Sequence, residues 1–97
     1  MTIARQYVIH ARQGQEGKLR DALGKLADLV RPTAGCNGVT VLQDTSDPRR
    51  FLFTEIWDSV DAHKNAQNPR AHAFLLEILP WYEGPPEGAY YTRLLSV

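Results

Sequence analysis

FLFTEIW, residues 51–57, is the stretch that decides the fold. Aromatic and β-branched residues at this density favour an extended strand. Successive side chains of a strand point to opposite sides, so Phe51, Phe53, Glu55 and Trp57 share one side while Leu52 and Ile56 share the other. An antiparallel sheet with one wet face alternates apolar with polar residues. Here both sides are apolar and both require cover, and Glu55 is a carboxylate set into an apolar row.

Just before it, 38–44 (GVTVLQD) reads as a strand, and Thr45-Ser46-Asp47-Pro48 favours a tight reversal into 51–57, so the two strands form an antiparallel hairpin. Upstream, Leu19, Ala22, Leu23, Leu26, Ala27 and Val30 recur at helical spacing from Glu16 onward, and Pro32 with Gly35 stops that helix. A first strand at 3–10 (IARQYVIH) precedes it and ends at Gln13-Gly14. Downstream, Asp58 or Ser59 offers an N-cap for a short helical stretch carrying Val60, Ala62 and His63. Asn68-Pro69 opens a second piece whose apolar face holds Ala71, Phe74, Leu75, Ile78 and Leu79, and Pro80 ends it. The loop 81–88 (WYEGPPEG) leads to a last strand at 89–96 (AYYTRLLS).

The order β, α, β, β, broken α, β predicts an α+β chain, a ferredoxin-like βαββαβ unit with an antiparallel sheet and one domain over 1–97. Right-handed crossovers place both helices on one face. The other face is then bare, and Leu52, Ile56 and the two-sided last strand, with Tyr91 and Leu95 against Tyr90 and Leu94, would leave an apolar patch in water. A second copy covers such a face with one self-complementary surface, so a homodimer is expected.

Lys plus Arg and Asp plus Glu each number 11 and are scattered, which argues against a nucleic-acid partner. Cys36 is the only cysteine, so neither an intrachain disulfide nor a cysteine-built metal cluster is available, and its Gly-rich turn setting favours a tolerated small residue over a reactive thiol. Polar residues interrupt every apolar run near the start, so no membrane span or signal peptide is expected and the default compartment is cytoplasmic. Phosphate-loop, CxxC, HExxH, GxSxG and dinucleotide patterns do not occur.

Glu55 reads either as a general base or orienter with a pKa raised by burial or as a structural partner for Arg93 or a residue of a neighbouring subunit. Trp57, at the strand end, is a stacking platform or a core anchor. His63 and His72 lack the i, i+4 spacing of a helical metal pair, so no metal is expected, but either suits proton transfer near neutrality. Tyr7, Tyr90 and Tyr91 offer phenolic hydroxyls, and Arg93 a cation for an enolate or phenolate.

These features coincide in one known pattern. The first strand closing on Arg12-Gln13-Gly14, the helix from Lys18 to Val30, Gly35-Cys36-Asn37-Gly38, Asp47-Pro48, Glu55-Ile56-Trp57 and Ala62-His63 together resemble the antibiotic biosynthesis monooxygenase (ABM) domain family of dimeric α/β barrels. The resemblance implies a homodimer whose sheets form a barrel, with a pocket between sheet and helices in each protomer. It implies oxidation of phenolic or polycyclic aromatic substrates to quinones by O2 with neither metal nor flavin. On that basis Trp57, His63, His72 and Arg93 are the expected catalytic residues, and Tyr7, Glu55, Phe74 and Tyr91 the expected substrate contacts. A branch of the family that degrades haem carries an Asn in the first strand where Tyr7 stands here, which disfavours haem. A non-catalytic binder of small hydrophobic metabolites is the alternative from a different class.

Overall fold

A computed structural model describes residues 2–97. The strand read first, β3 (Arg50–Trp57), alternates half-buried and buried positions along its whole length, with Phe51, Phe53, Glu55 and Trp57 inward. It lies beside β2 (Cys36–Gln43) and β1 (Ile3–His10), and β4 (Glu87–Thr92) pairs with the far edge of β1. The sheet order is β2-β3-β1-β4, all antiparallel. Between the strands run α1 (Glu16–Val30), α2 (Val60–Asn65) and α3 (Pro69–Ile78), giving the expected βαββαβ order with the second helix broken.

The core sits between the helices and one sheet face. Leu19, Ala22, Leu23 and Leu26 of α1 and Ala71 and Ile78 of α3 pack on Ile9, Phe51 and Phe53. Each fully buried large side chain contributes roughly 1.5–3 kcal/mol through removal from water. The breaks in the second helix are chemical. Ser59 Oγ accepts from the Ala62 N–H to start α2, and Asn68 Oδ1 accepts from the Ala71 N–H to start α3, with Pro69 in the first turn. Asn68 Nδ2 also donates to the Leu29 carbonyl and to Thr33 Oγ1, tying the start of α3 to the end of α1.

Three elements differ from their expected bounds. The second strand begins at Cys36, because an irregularity between Cys36 and Gly38 lets Cys36 stand opposite Trp57. Helix α3 passes into a single 3₁₀ turn, Leu79–Trp81, and Pro80 lies in the first positions of that turn, where its missing N–H costs nothing. The last strand covers 87–92, not 89–96. Its partner β1 starts at Ile3, opposite Thr92, so residues after Thr92 have no strand to pair with; Leu94 and Leu95 are 91% and 81% exposed. No helix among the described residues is long and apolar enough to cross a membrane.

Cross-strand partners share a face, so the register sorts the sheet. Arg5, Glu55 and Tyr90 stand in one row on the helix side. Ala4, Ile56 and Tyr91 stand in the next row on the bare side, as do Val8, Leu52 and Leu42.

Candidate active site

Under the helices, Tyr7, Ile9, Phe53, Glu55, Leu26 and Ala71 contribute to the wall of a cavity of about 170 Å³, together with Leu75, Pro86, the buried Tyr82 and the exposed His72. A second cavity of about 190 Å³, bordered by Trp57, His63 and Asn68, shares Glu55, Val30 and His72 with the first. Glu55 therefore stands between the two, as a buried carboxyl in apolar surroundings.

The polar end of the site is built from three strands and a short helix. Trp57 Nε1–H donates to Glu55 Oε1 at 2.8 Å, one inward position along the same strand. His63 projects from α2, which the Ser59 cap fixes, and both its ring nitrogens are engaged: Nε2 lies 3.2 Å from Tyr7 Oη and Nδ1 2.7 Å from Tyr90 Oη. Its edge meets Trp57, with ring centroids 5.3 Å apart. Arg5 lies across the rings of Tyr7 and Tyr90, its guanidinium carbon 4.8 and 4.3 Å from their centroids. A cation over an aromatic face is favourable, more so as water is excluded.

Two glycines make room for this. A Cβ on Gly88 would come within 2.5 Å of an Arg5 nitrogen, so the guanidinium occupies the space a side chain would fill. Gly35, at φ +88°, is in the left-handed region, and a Cβ there would approach the Ala62 Cβ to 3.1 Å. The chain can thus enter β2 directly under α2 and keep His63 against the sheet.

Burial sets the electrostatics. It raises the Glu55 carboxyl above its ordinary value, opposed by the Trp57 hydrogen bond and by Arg5. It lowers the His63 imidazole, and Arg5 lowers it further. His63 Nε2 lies 3.7 Å from Glu55 Oε1, but a lowered imidazole is neutral at pH 7, so this approach is not an ion pair. Burial also raises the phenol of Tyr7, and pushes that of Tyr82 up to about 12, so both keep their protons. The Arg5 Nε is buried and has no hydrogen-bond partner among the described residues.

The sequence-derived set divides. Glu55, Trp57, His63 and Tyr7 come together at the polar end, and the exposed His72 borders both cavities. The remaining expected members lie elsewhere. Arg93, beyond the end of β4, donates to Thr2 Oγ1 at an exposed position, and the cation near Glu55 is Arg5, its cross-strand partner. Tyr91 is 53% exposed on the bare face, because the strand's alternation turns Tyr90 inward instead. Phe74 packs against the core under Lys25, whose ammonium is 4.8 Å from the ring centroid, and does not line the cavity. Arg5 and Tyr90 were legible in principle from register, since both oppose Glu55 or its partner. Tyr82 and Pro86 come from the 81–88 loop, whose path back to Ala11 no periodicity signals.

Among curated proteins none matches. Among solved structures, a Bordetella bronchiseptica protein carrying the antibiotic biosynthesis monooxygenase designation superposes with a TM-score of 0.86 at 20% identity, covering 97% of this chain and 98% of the other. A Chloroflexus aurantiacus protein of the same designation gives 0.81 at 23% identity, covering 100% and 97%. SnoaB from Streptomyces nogalater, a cofactor-independent oxygenase, gives 0.78 at 13% identity, covering 99% and 96%. The family model for antibiotic biosynthesis monooxygenases matches residues 2–74, and the chain therefore belongs to that family.

Proposed function

We propose that the chain is a homodimeric monooxygenase that oxidises a small electron-rich phenol to a quinone with O2 and no metal or flavin. The observation that carries this reading is the single carboxyl, Glu55, in the wall of a largely apolar cavity, with Tyr7 beside it. Family membership and the cofactor-independent oxygenase among the structural neighbours support the same chemistry. The cavity, at about 170 Å³, is close to the roughly 150 Å³ that holds a benzene ring, which favours a monocyclic over a polycyclic substrate.

The phenol's O–H lies toward Glu55 and Tyr7 and its ring against Phe53, Ile9 and Leu26, with His72 at the entrance. Loss of the O–H proton gives a phenolate, which passes one electron to O2. The two radicals join carbon to oxygen, and the protonated ring peroxide sheds water to leave the quinone. One oxygen atom enters the product; the other leaves as water with the phenolic and the ring hydrogen. The residues hold the ring, exclude bulk water and set the proton's position, and the Glu55 carboxyl, buried in the wall, orients the phenol's O–H. Haem does not suit this site: the cavity is too small, and both nitrogens of His63 are engaged by tyrosine hydroxyls. The bare sheet face, with Val8, Leu52, Ile56, Leu42 and Tyr91, supports a second copy as its cover.

The test is O2 uptake by the purified, metal-stripped protein with phenols, hydroquinones and anthrones of graded size. Uptake with single-ring phenols, and one ¹⁸O atom from ¹⁸O2 in the quinone, is expected. Tight binding of the same compounds with no uptake would replace the enzyme by a binder of small hydrophobic metabolites.

A further inference from the structure

Tyr7, His63 and Tyr90 form a continuous hydrogen-bonded line between elements far apart in sequence. Tyr7 faces the cavity from β1, His63 reaches in from α2, and Tyr90 stands on β4, the edge strand of the sheet. The two links are 3.2 and 2.7 Å. A neutral imidazole has one donor and one acceptor nitrogen, so one tyrosine hydroxyl donates to the ring and the other accepts from it. That is the arrangement in which a proton entering one nitrogen releases another from the opposite nitrogen.

Resting on the phenol-oxidation reading above, we propose that Tyr7, His63 and Tyr90 are a proton relay that takes the phenolic proton out of the cavity to the β4 edge and returns it when water forms. In the outward step the substrate O–H bond breaks and its proton joins the Tyr7 oxygen, as Tyr7 gives its own to His63 Nε2. His63 Nδ1–H passes to the Tyr90 oxygen and the Tyr90 proton goes to solvent. Each tyrosine ends with a proton and His63 ends as the other tautomer. The inward step reverses every transfer, supplies the proton that the ring peroxide needs, and resets His63. No proton is gained or lost over the cycle, as the conversion of a phenol and O2 to a quinone and water requires.

The groups around His63 suit an acceptor that stays neutral between transfers. Arg5 and Tyr7 face it from β1, Glu55 and Trp57 from β3 and Tyr90 from β4, while Lys64, its neighbour on α2, holds its ammonium 6.0 Å from the Tyr90 ring centroid. Burial and Arg5 both disfavour the imidazolium. Tyr90 does not line the cavity, so its hydroxyl can be removed without changing the substrate's contacts.

The experiment uses Tyr90→Phe and the coloured probe 4-nitrophenol, whose ionisation is read by absorbance without any O2 chemistry. Binding within about twofold of wild type is expected, with proton loss from the bound probe after a pH jump slowed at least tenfold. With an oxidisable phenol, kcat should fall by about tenfold or more at unchanged KM, since positioned proton transfer contributes roughly 10²–10⁴-fold to rate. His63→Ala should behave alike and be rescued in part by added imidazole. An unchanged pH-jump rate in Tyr90→Phe overturns the relay, and failure of wild type to bind the probe overturns relay and oxidation together. A slowed jump in a protein that consumes no O2 with any phenol supports the relay and sinks the oxidation.

Discussion

On the helix side of β3, Phe51, Phe53, Glu55 and Trp57 are all buried, whereas Leu52 and Ile56 on the reverse side of the same strand are only half-buried and Leu42 beside them is 51% exposed. The side chains are of one kind and the strand is one strand. What separates them is cover: α1 and α3 close the first face, and the second has only its neighbours in the sheet. The helix face can therefore hold a buried carboxyl and a neutral histidine, because burial there sets their protonation. The bare face has a carboxylate too, Glu87 in the row of Val8, Leu52 and Leu42, but it is exposed, and no buried one stands there among the described residues.

The sharpest way to break this contrast is a matched pair of truncations on adjacent residues. Phe53, 2% exposed, sits in the core and walls the cavity, so Phe53→Ala should cost about 3–5 kcal/mol by denaturant unfolding and abolish ligand binding. Leu52→Ala at low protein concentration should cost about 1 kcal/mol or less and leave binding intact. Equal losses at the two sites would mean that the faces are covered alike within one subunit.

Next in size is a charge on the bare face. Under the proposed dimer, Ile56→Glu buries an unpaired carboxylate, a cost of about 3 kcal/mol or more, which weakens self-association at least about a hundredfold. Sedimentation should show wild-type dimers and Ile56→Glu monomers with the same circular dichroism. A wild-type chain that sediments as a monomer at micromolar concentration removes the dimer.

The contrast between the faces was visible in FLFTEIW because alternation along a strand is a local property, and so were both helix starts, which rest on caps within a few residues. Recognition of the family rested on short motifs of the same local kind. The site was legible only in part. Glu55, Trp57 and His63 lie within one strand and the turn of helix after it, but which cation and which tyrosine meet them depends on the register of β1 and β4, set by chain many residues away. Register and strand length set Arg93 and Tyr91 apart from Glu55 within the protomer and bring Arg5 and Tyr90 to it. Where β4 stops is dictated by where its partner β1 begins, and no composition of 89–96 encodes that.

A smaller effect concerns how the helix face is closed at its edge. Asn68 caps α3 and bridges to Leu29 and Thr33, so Asn68→Ala removes three hydrogen bonds at a half-buried position. A loss of about 1–2 kcal/mol is expected in thermal or denaturant unfolding. Its effect on the two cavities should exceed its effect on the bare face: ligand affinity falls through His72, three residues past Pro69 in the first turn, and self-association stays as it was.

The finest distinction is a slope with pH rather than a step. Burial raises Glu55 in the folded chain above its ordinary 4.5, so the folded state binds the proton more tightly than the unfolded state. Its contribution to stability is whole below 4.5 and is lost as pH rises through the folded value. His63 runs the other way: its folded value lies below 6.5, so the unfolded chain takes up the proton first and stability falls as pH drops below 6.5. Glu55→Gln removes only the first effect. The stability of wild type minus that of Glu55→Gln should decline as pH rises from 4.5, by no more than about 1.4 kcal/mol per pH unit, the limit for one proton. The same comparison for Thr54→Ala, beside it on the bare face, should be flat. A flat difference for Glu55→Gln would mean that the carboxyl is as well solvated as one on the open side of the sheet, and the physical basis for giving the helix face the chemistry would be gone.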